Sequence, residues 1–167
     1  MWEVLLAAAA VLLDQLSKSA ATALAASHGS VTLIPGVLGL TLTWNYGASW
    51  GILAGKTTFL LVLTALVCAA IFGALLLGHP KSALGRIALG MVLGGAVGNA
   101  LDRLANGYVT DMFETLFMDF PIFNVADCFI TVGGILFCLC LILEEVREKK
   151  TKKGKEAGDG AGADGDT

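Results

Sequence analysis

Histidine and isolated charge are scarce in this chain. Only two histidines, His28 and His79, occur in 167 residues, and charged residues make up 15% of the total. Four cysteines are present (Cys68, Cys128, Cys138, Cys140), all in or against apolar runs. They have neither metal-ligand spacing nor partner residues, so they read as small hydrophobes, and no cofactor or metal is expected. Of eleven basic residues, six (Arg147, Lys149, Lys150, Lys152, Lys153, Lys155) crowd the C-terminal tail. That stripe follows directly on an apolar span. It reads as a juxtamembrane anchor drawn to anionic lipid, and no nucleic-acid partner is expected.

What fills the chain instead is apolar sequence, 56% of it hydrophobic. Residues 57–78 form an uncharged run long enough to cross a bilayer. Three more spans are expected at about residues 2–26, 84–104 and 125–146. The first is interrupted by Asp14 and Lys18, and a cleaved signal peptide is the competing reading for it. A signal core carries no Asp and Lys in its middle, and a basic leading region is missing. At i, i+4 on a helix the two can instead pair on one inward face. The expected fold class is therefore all-α, with four transmembrane helices in residues 1–148. Residues 149–167, basic and then rich in Gly and Asp, are expected to be a disordered tail.

Four spans put both termini on one side. Eight basic residues (Lys81, Arg86 and the six of the tail) then share that side. By the positive-inside rule it is the cytoplasm, so a multi-pass protein of the cytoplasmic membrane is expected. The loops 28–56 and 104–124 lie outside. Within the first, Leu40-Thr-Leu-Thr-Trp-Asn45 alternates with period two, and Val31 to Ile34 is a second candidate strand, with Pro35-Gly36 between them. A small β-element lying on the membrane face is expected, with Trp44 and Trp50 as interfacial anchors.

The third span repeats Gly90, Gly94 and Gly98 every four residues, a ridge that permits close helix contact in lipid. Asn99, Asp102 and Arg103 continue on one face at the outer end of the same helix. Asp102 is expected to pair with Arg103 or another neighbour, or to act directly. Beyond that end, Asp111 lies in Gly107-Tyr-Val-Thr-Asp111. Asp127 lies in Phe123-Asn-Val-Ala-Asp127 at the start of the last span. Carboxylates at a membrane edge cost a few kcal/mol to bury, so two facing each other suggest chemistry. Two carboxyls sharing one proton are the working unit of an aspartic protease. The residues alone leave a small proton- or cation-coupled transporter equally open, although a conducting path needs polar groups across the bilayer. No Ser-His-Asp set is available, because His28 and His79 are expected on opposite sides of the membrane.

Five stretches stand in the order and spacing of a known family: Leu13-Asp-Gln-Leu-Ser-Lys18, Asn45-Tyr-Gly-Ala-Ser-Trp-Gly51, Gly94-Gly-Ala-Val-Gly-Asn-Ala-Leu-Asp-Arg103, Gly107-Tyr-Val-Thr-Asp111 and Phe123-Asn-Val-Ala-Asp127. Together they resemble the bacterial signal peptidase II family, the lipoprotein signal peptidases. The resemblance implies an extracytoplasmic β-cradle over four helices. It implies an aspartic endopeptidase that cuts a diacylglyceryl-modified prolipoprotein just before its lipidated cysteine. By the same resemblance Asp111 and Asp127 match the catalytic pair. Asn45, Asn99, Arg103 and Asn124 match substrate-site residues, and Asp14, Lys18 and Asp102 match structural supports. The implied partners are the lipid-modified precursor and membrane lipids, with a monomer expected. A non-catalytic lipoprotein-binding factor is a third reading. Met112 stands where the family has an aromatic, and Ser49-Trp50 replaces its Ala-Phe; both touch pocket shape and leave the polar atoms in place.

Overall fold

The computed structural model describes residues 2–161. Four helices carry the chain: α1 (Trp2–His28), α2 (Thr57–Leu76), α3 (Ala83–Asn106) and α4 (Val125–Ala161). Each contains a stretch long and apolar enough to span a membrane. Strands β1 (Val31–Ile34) and β2 (Leu38–Asn45) lie between α1 and α2, and β3 (Val109–Thr115) lies between α3 and α4. One end of the bundle therefore carries a sheet, and the other carries the short α2–α3 turn. The protein is an all-α multi-pass membrane protein with a small antiparallel sheet at one end.

The bundle is apolar outside and polar inside at that end. Leu63, Leu66, Phe72, Ile135 and Ile142 are all exposed, while Asp14, Lys18 and Asp102 are buried. Such a surface suits hydrocarbon, which leaves polar groups no partner except within the protein. Helix α3 is the hub, packed against α1, α2 and α4. Glycines permit it. A Cβ at Gly94 would stand 2.7 Å from the Ala7 carbonyl oxygen, and one at Gly98 2.7 Å from the Asp14 carboxylate. On the opposite face, one at Gly95 would meet the Ala126 carbonyl. The expected glycine ridge thus faces α1, and Gly95, which the four-residue repeat does not include, makes the matching contact with α4. Far from the sheet, buried Glu3 pairs with Arg86 and ties the start of α1 to the start of α3. Ser82 caps α3, and Gly107 ends it in a left-handed turn at φ 82°.

The three strands pair antiparallel in the order β1-β2-β3. The first two lie where the alternation places them. The third was expected to be loop. Its sequence, Val-Thr-Asp-Met-Phe-Glu-Thr, does not alternate cleanly, because Asp111 and Met112 are both buried at a register shift opposite β2. Strand β3 pairs Thr43 with Asp111, and Phe113 bridges to Phe123. That bridge folds residues 116–122 back and delivers Asn124 to the side of Asp111.

The tail also differs from expectation. Helix α4 runs on to Ala161, where disorder was expected from about residue 149. The run Glu144 to Lys149 consists largely of strong helix formers, and Lys149 pairs with Glu145 one turn back. Residues 162–167 of that expected tail lie outside the described residues.

Gly94→Ala is expected to lower the melting temperature in detergent, with an overpacking cost of about 1–3 kcal/mol. Gly73→Ala on α2, where a Cβ meets nothing within 4 Å, should melt no lower than the parent. Equal melting of the two variants would contradict the close α1–α3 approach.

Candidate active site

The site begins with the first turn of α4. Asn124 Oδ1 accepts the Asp127 N–H at 2.9 Å, and the Asn124 N–H donates back to Asp127 Oδ2 at 3.2 Å. This reciprocal cap fixes the Asp127 side chain against its own helix start. The intervening N–H of Ala126 donates to Asp14 Oδ1 at 2.9 Å, from α1. The orphan amides of a helix start thus find partners, and the helix dipole favours a carboxylate there.

Asp111 approaches from β3. Its Oδ1 accepts the Asn124 amide at 2.6 Å and its Oδ2 accepts the Asn45 amide at 3.1 Å. Asp127 Oδ1 accepts the Asn99 amide at 2.8 Å. Asn124 therefore contacts both carboxylates, and Nδ2 also donates to Asn99 Oδ1 at 3.0 Å. Burial pushes the Asp111 carboxyl up to about 6, with the Asp127 charge adding to it. The Asn45 and Asn124 donors and the Lys18 charge pull the other way.

Both aspartates line a cavity of about 540 Å3 between α2 and α4. Leu60 and Leu63 form one wall and Ile130 and Val132 the other, with Asn45, Asn99 and Arg103 at the polar end. Asn124 departs from expectation. It is fully buried, does not line the cavity, and spends its amide on Asp111 and Asn99, so it stands behind the carboxylates and not before a substrate. Arg103 donates to the Gly47 carbonyl at 2.7 Å, tying the β2–α2 loop to α3.

Behind this layer Lys18 bridges Asp14 at 2.8 Å and Asp102 at 3.0 Å. The pairing within α1 is the expected one. Asp102 takes Lys18 from α1 and not its neighbour Arg103, because adjacent residues on a helix point about 100° apart. Its Oδ1 also accepts from Gln15 at 2.9 Å, and its Oδ2 from the Thr110 N–H at 3.0 Å. Gln15, Gly47 and Thr110 were not singled out from the sequence. Gln15 carried a signal, as a polar residue beside Asp14 within an apolar span; the other two act through backbone atoms, which leave none.

The raised Asp111 pKa has a stability consequence. The folded value exceeds the ordinary 3.8, so the fold prefers the protonated acid. Its contribution is fully present below about pH 4 and is lost as pH rises through about 6. The melting temperature of Asp111→Asn relative to the parent should rise between pH 4 and pH 7.5. The pH-dependent gain is on the order of 3 kcal/mol. A melting difference independent of pH would refute the raised value.

Comparisons with known proteins agree with this architecture. The family described as Signal peptidase (SPase) II matches residues 6–143. A lipoprotein signal peptidase of Enterococcus faecalis is 43% identical over 90% of this chain and 93% of its own. One from Clostridium acetobutylicum is 38% identical over 90% of this chain and 99% of its own. Among solved structures, a bacterial membrane enzyme determined by the in meso method at 2.3 Å is similar with a TM-score of 0.77. It is 33% identical over 86% of this chain and 88% of its own. The likeness spans all four helices and the sheet, and the chain belongs to the signal peptidase II family of membrane peptidases.

Proposed function

We propose that this peptidase is an aspartic endopeptidase that removes the signal peptide from diacylglyceryl-modified prolipoproteins, cutting just before the lipidated cysteine. The observation that carries the reading is the pair Asp111 and Asp127 on the wall of one largely apolar cavity, each carboxylate held by a side-chain amide. The names of the relatives supply the substrate class. Nothing of comparable kind favours the transporter: apart from Glu3, which is closed off by Arg86 at the far end, the buried polar residues gather at the sheet end, and the transporter would need them along the bundle.

Peptide hydrolysis needs an activated water and a protonated leaving amine. In this reading the ionised member of the pair takes a proton from water as it attacks the scissile carbonyl. The protonated member donates to the carbonyl oxygen, and the proton taken up is then passed to the departing nitrogen. Close carboxyls resist double ionisation, so the pair holds one proton over the working range. Asn45 and Asn99 fix one oxygen of each aspartate and stand at the cavity edge, where they can also meet the substrate backbone. Arg103 holds the β2–α2 loop in place beside them. Asp14, Lys18 and Asp102 support the layer behind. The acyl chains of the precursor lie along the Leu60 to Val132 walls, entered sideways from lipid. The enzyme is a monomer of the cytoplasmic membrane, with both termini inside and the sheet end outside.

Asp111→Asn and Asp127→Asn should each abolish cleavage of a purified lipidated precursor, read as a gel shift, while the protein still inserts and melts cooperatively. Asparagine keeps size and one accepting oxygen but shuttles no proton, and it gives up one of the two N–H contacts each aspartate accepts. Residues acting as a unit do not add, so the double variant should be no worse than either single one. Turnover like the parent's in either single variant would withdraw the aspartic mechanism and revive a non-catalytic precursor-binding role.

The orientation has its own test. Alkaline phosphatase, active only outside, should be inactive when fused after Lys155 and active when inserted near Asn106. The reverse pattern would invert the topology.

A further inference from the structure

Asp14 and Asp102 each accept an N–H from the residue directly preceding one of the two site aspartates. Ala126, before Asp127, donates to Asp14 Oδ1 at 2.9 Å, and Thr110, before Asp111, donates to Asp102 Oδ2 at 3.0 Å. Lys18 Nζ joins the two acids, at 2.8 Å and 3.0 Å. Its third contact is Asn99 Oδ1 at 3.1 Å. An ammonium has three donors and no acceptor, so all three are used. The third has a directional consequence. With its oxygen turned to the ammonium, Asn99 presents its NH2 to Asp127 Oδ1. The reversed amide would set NH2 against ammonium and carbonyl against carboxylate.

We propose that Lys18 is a positioning residue of the reaction, a three-way clamp that holds β3 at Thr110, α4 at Ala126 and the Asn99 amide in the one arrangement that aims Asp111 and Asp127 into the cavity. The proposal rests on the aspartic reading above. Lys18 lines no part of the cavity and touches neither site aspartate, so it acts only through those three groups. Helix packing alone does not call for it. The glycine contacts and the Glu3–Arg86 pair already join α1 to α3, and an ion cluster in a span is a weak stabiliser beside apolar packing. It also contributes a charge. Asp111 is faced by Asp127 of α4, by Arg103 of α3, by Lys18 of α1, and by the neutral Asn45 and Asn124 amides. Lys18 is one of the cations opposing the carboxylates there.

A second cavity, of about 480 Å3, reaches Lys18 past Gln15, Thr22 and Asp102, and its wall shares no residue with the first. A small amine can therefore replace the ammonium without entering the cleft. The test uses the full-length protein in detergent with a lipidated precursor. Lys18→Met should lower kcat by about a hundredfold, the scale of a small misplacement of reacting groups, and leave KM nearly unchanged. Its kcat/KM profile should move as a whole to higher pH, because the carboxyl pair loses an opposing cation. Ethylammonium should restore turnover to Lys18→Ala, and ethanol should not. Should the neutral variants fail to fold, Lys18→Arg keeps the charge; its planar fork cannot aim one nitrogen at three acceptors, so kcat should still fall at constant KM. Parental kcat per folded molecule with an unmoved pH profile, in Lys18→Met or in Lys18→Arg, would overturn the proposal and leave Lys18 a support alone. A parent protein that cleaves no precursor would count against the aspartic reading itself, not against the clamp.

Discussion

A carboxylate withdrawn from water at the edge of hydrocarbon must find its hydrogen bonds within the protein, and the sheet end of this molecule gathers four. Three of them, Asp14, Asp102 and Asp111, are fully buried, and Asp127 is half-buried; an orphaned one would cost several kcal/mol or would simply hold its proton. Asp14 is met by Lys18, Gln15 and the Ala126 N–H, and Asp102 by Lys18, Gln15 and the Thr110 N–H. Asp111 takes two side-chain amides; Asp127 takes one and a backbone N–H. The described residues leave no buried side-chain polar atom unpartnered. The donors come from α1, β2, α3, β3 and the start of α4, so satisfying the acids fixes those elements relative to one another. The glycines follow from the same demand. Gly98 must lack a Cβ because the Asp14 carboxylate occupies its place.

Much of this was legible in the chain. Length and hydropathy located the four spans to within a few residues. Asp14 and Lys18, four apart in an apolar run, gave their pairing away, since nothing else within the span could neutralise them. Two strands were visible as alternation. The third was not, because period-two patterning assumes one buried face, and a register shift beside Asp111 buries two successive residues. The helical run past residue 149 was missed for a different reason: composition without apolar content was read as disorder, while Glu and Lys propensity carries a helix already begun.

The amides mark the limit of reading chemistry from residue type. Asn45, Asn99 and Asn124 were all expected to face a substrate. Sequence says that amides gather near two acids, but not which way their dipoles point. In the structure each directs its NH2 at a carboxylate, and Asn124 has no surface at all. What passes for a recognition set is in large part a frame for the acids. Direction came from outside the amides, from the backbone of α4 for Asn124 and from an ammonium for Asn99. Such long-range partners, 81 residues apart for Lys18 and Asn99, carry no local pattern.

The cleft between α2 and α4 has a kinetic meaning. Helix α2 packs on α3 and leaves most of its surface, Leu63 included, exposed, while Val132 across the gap is exposed as well. The cleft is therefore flanked by surface suited to acyl chains, and in the function proposed above a lipid-anchored precursor reaches the two acids by lateral diffusion in a plane. For such an enzyme the governing variable is the mole fraction of substrate among lipids. Adding bare vesicles at constant precursor would slow it by dilution in two dimensions, with no inhibitor present. A competitive ligand would likewise rank by its partition into the bilayer as much as by its fit to the walls, and its apparent potency would drift with the amount of lipid in the tube.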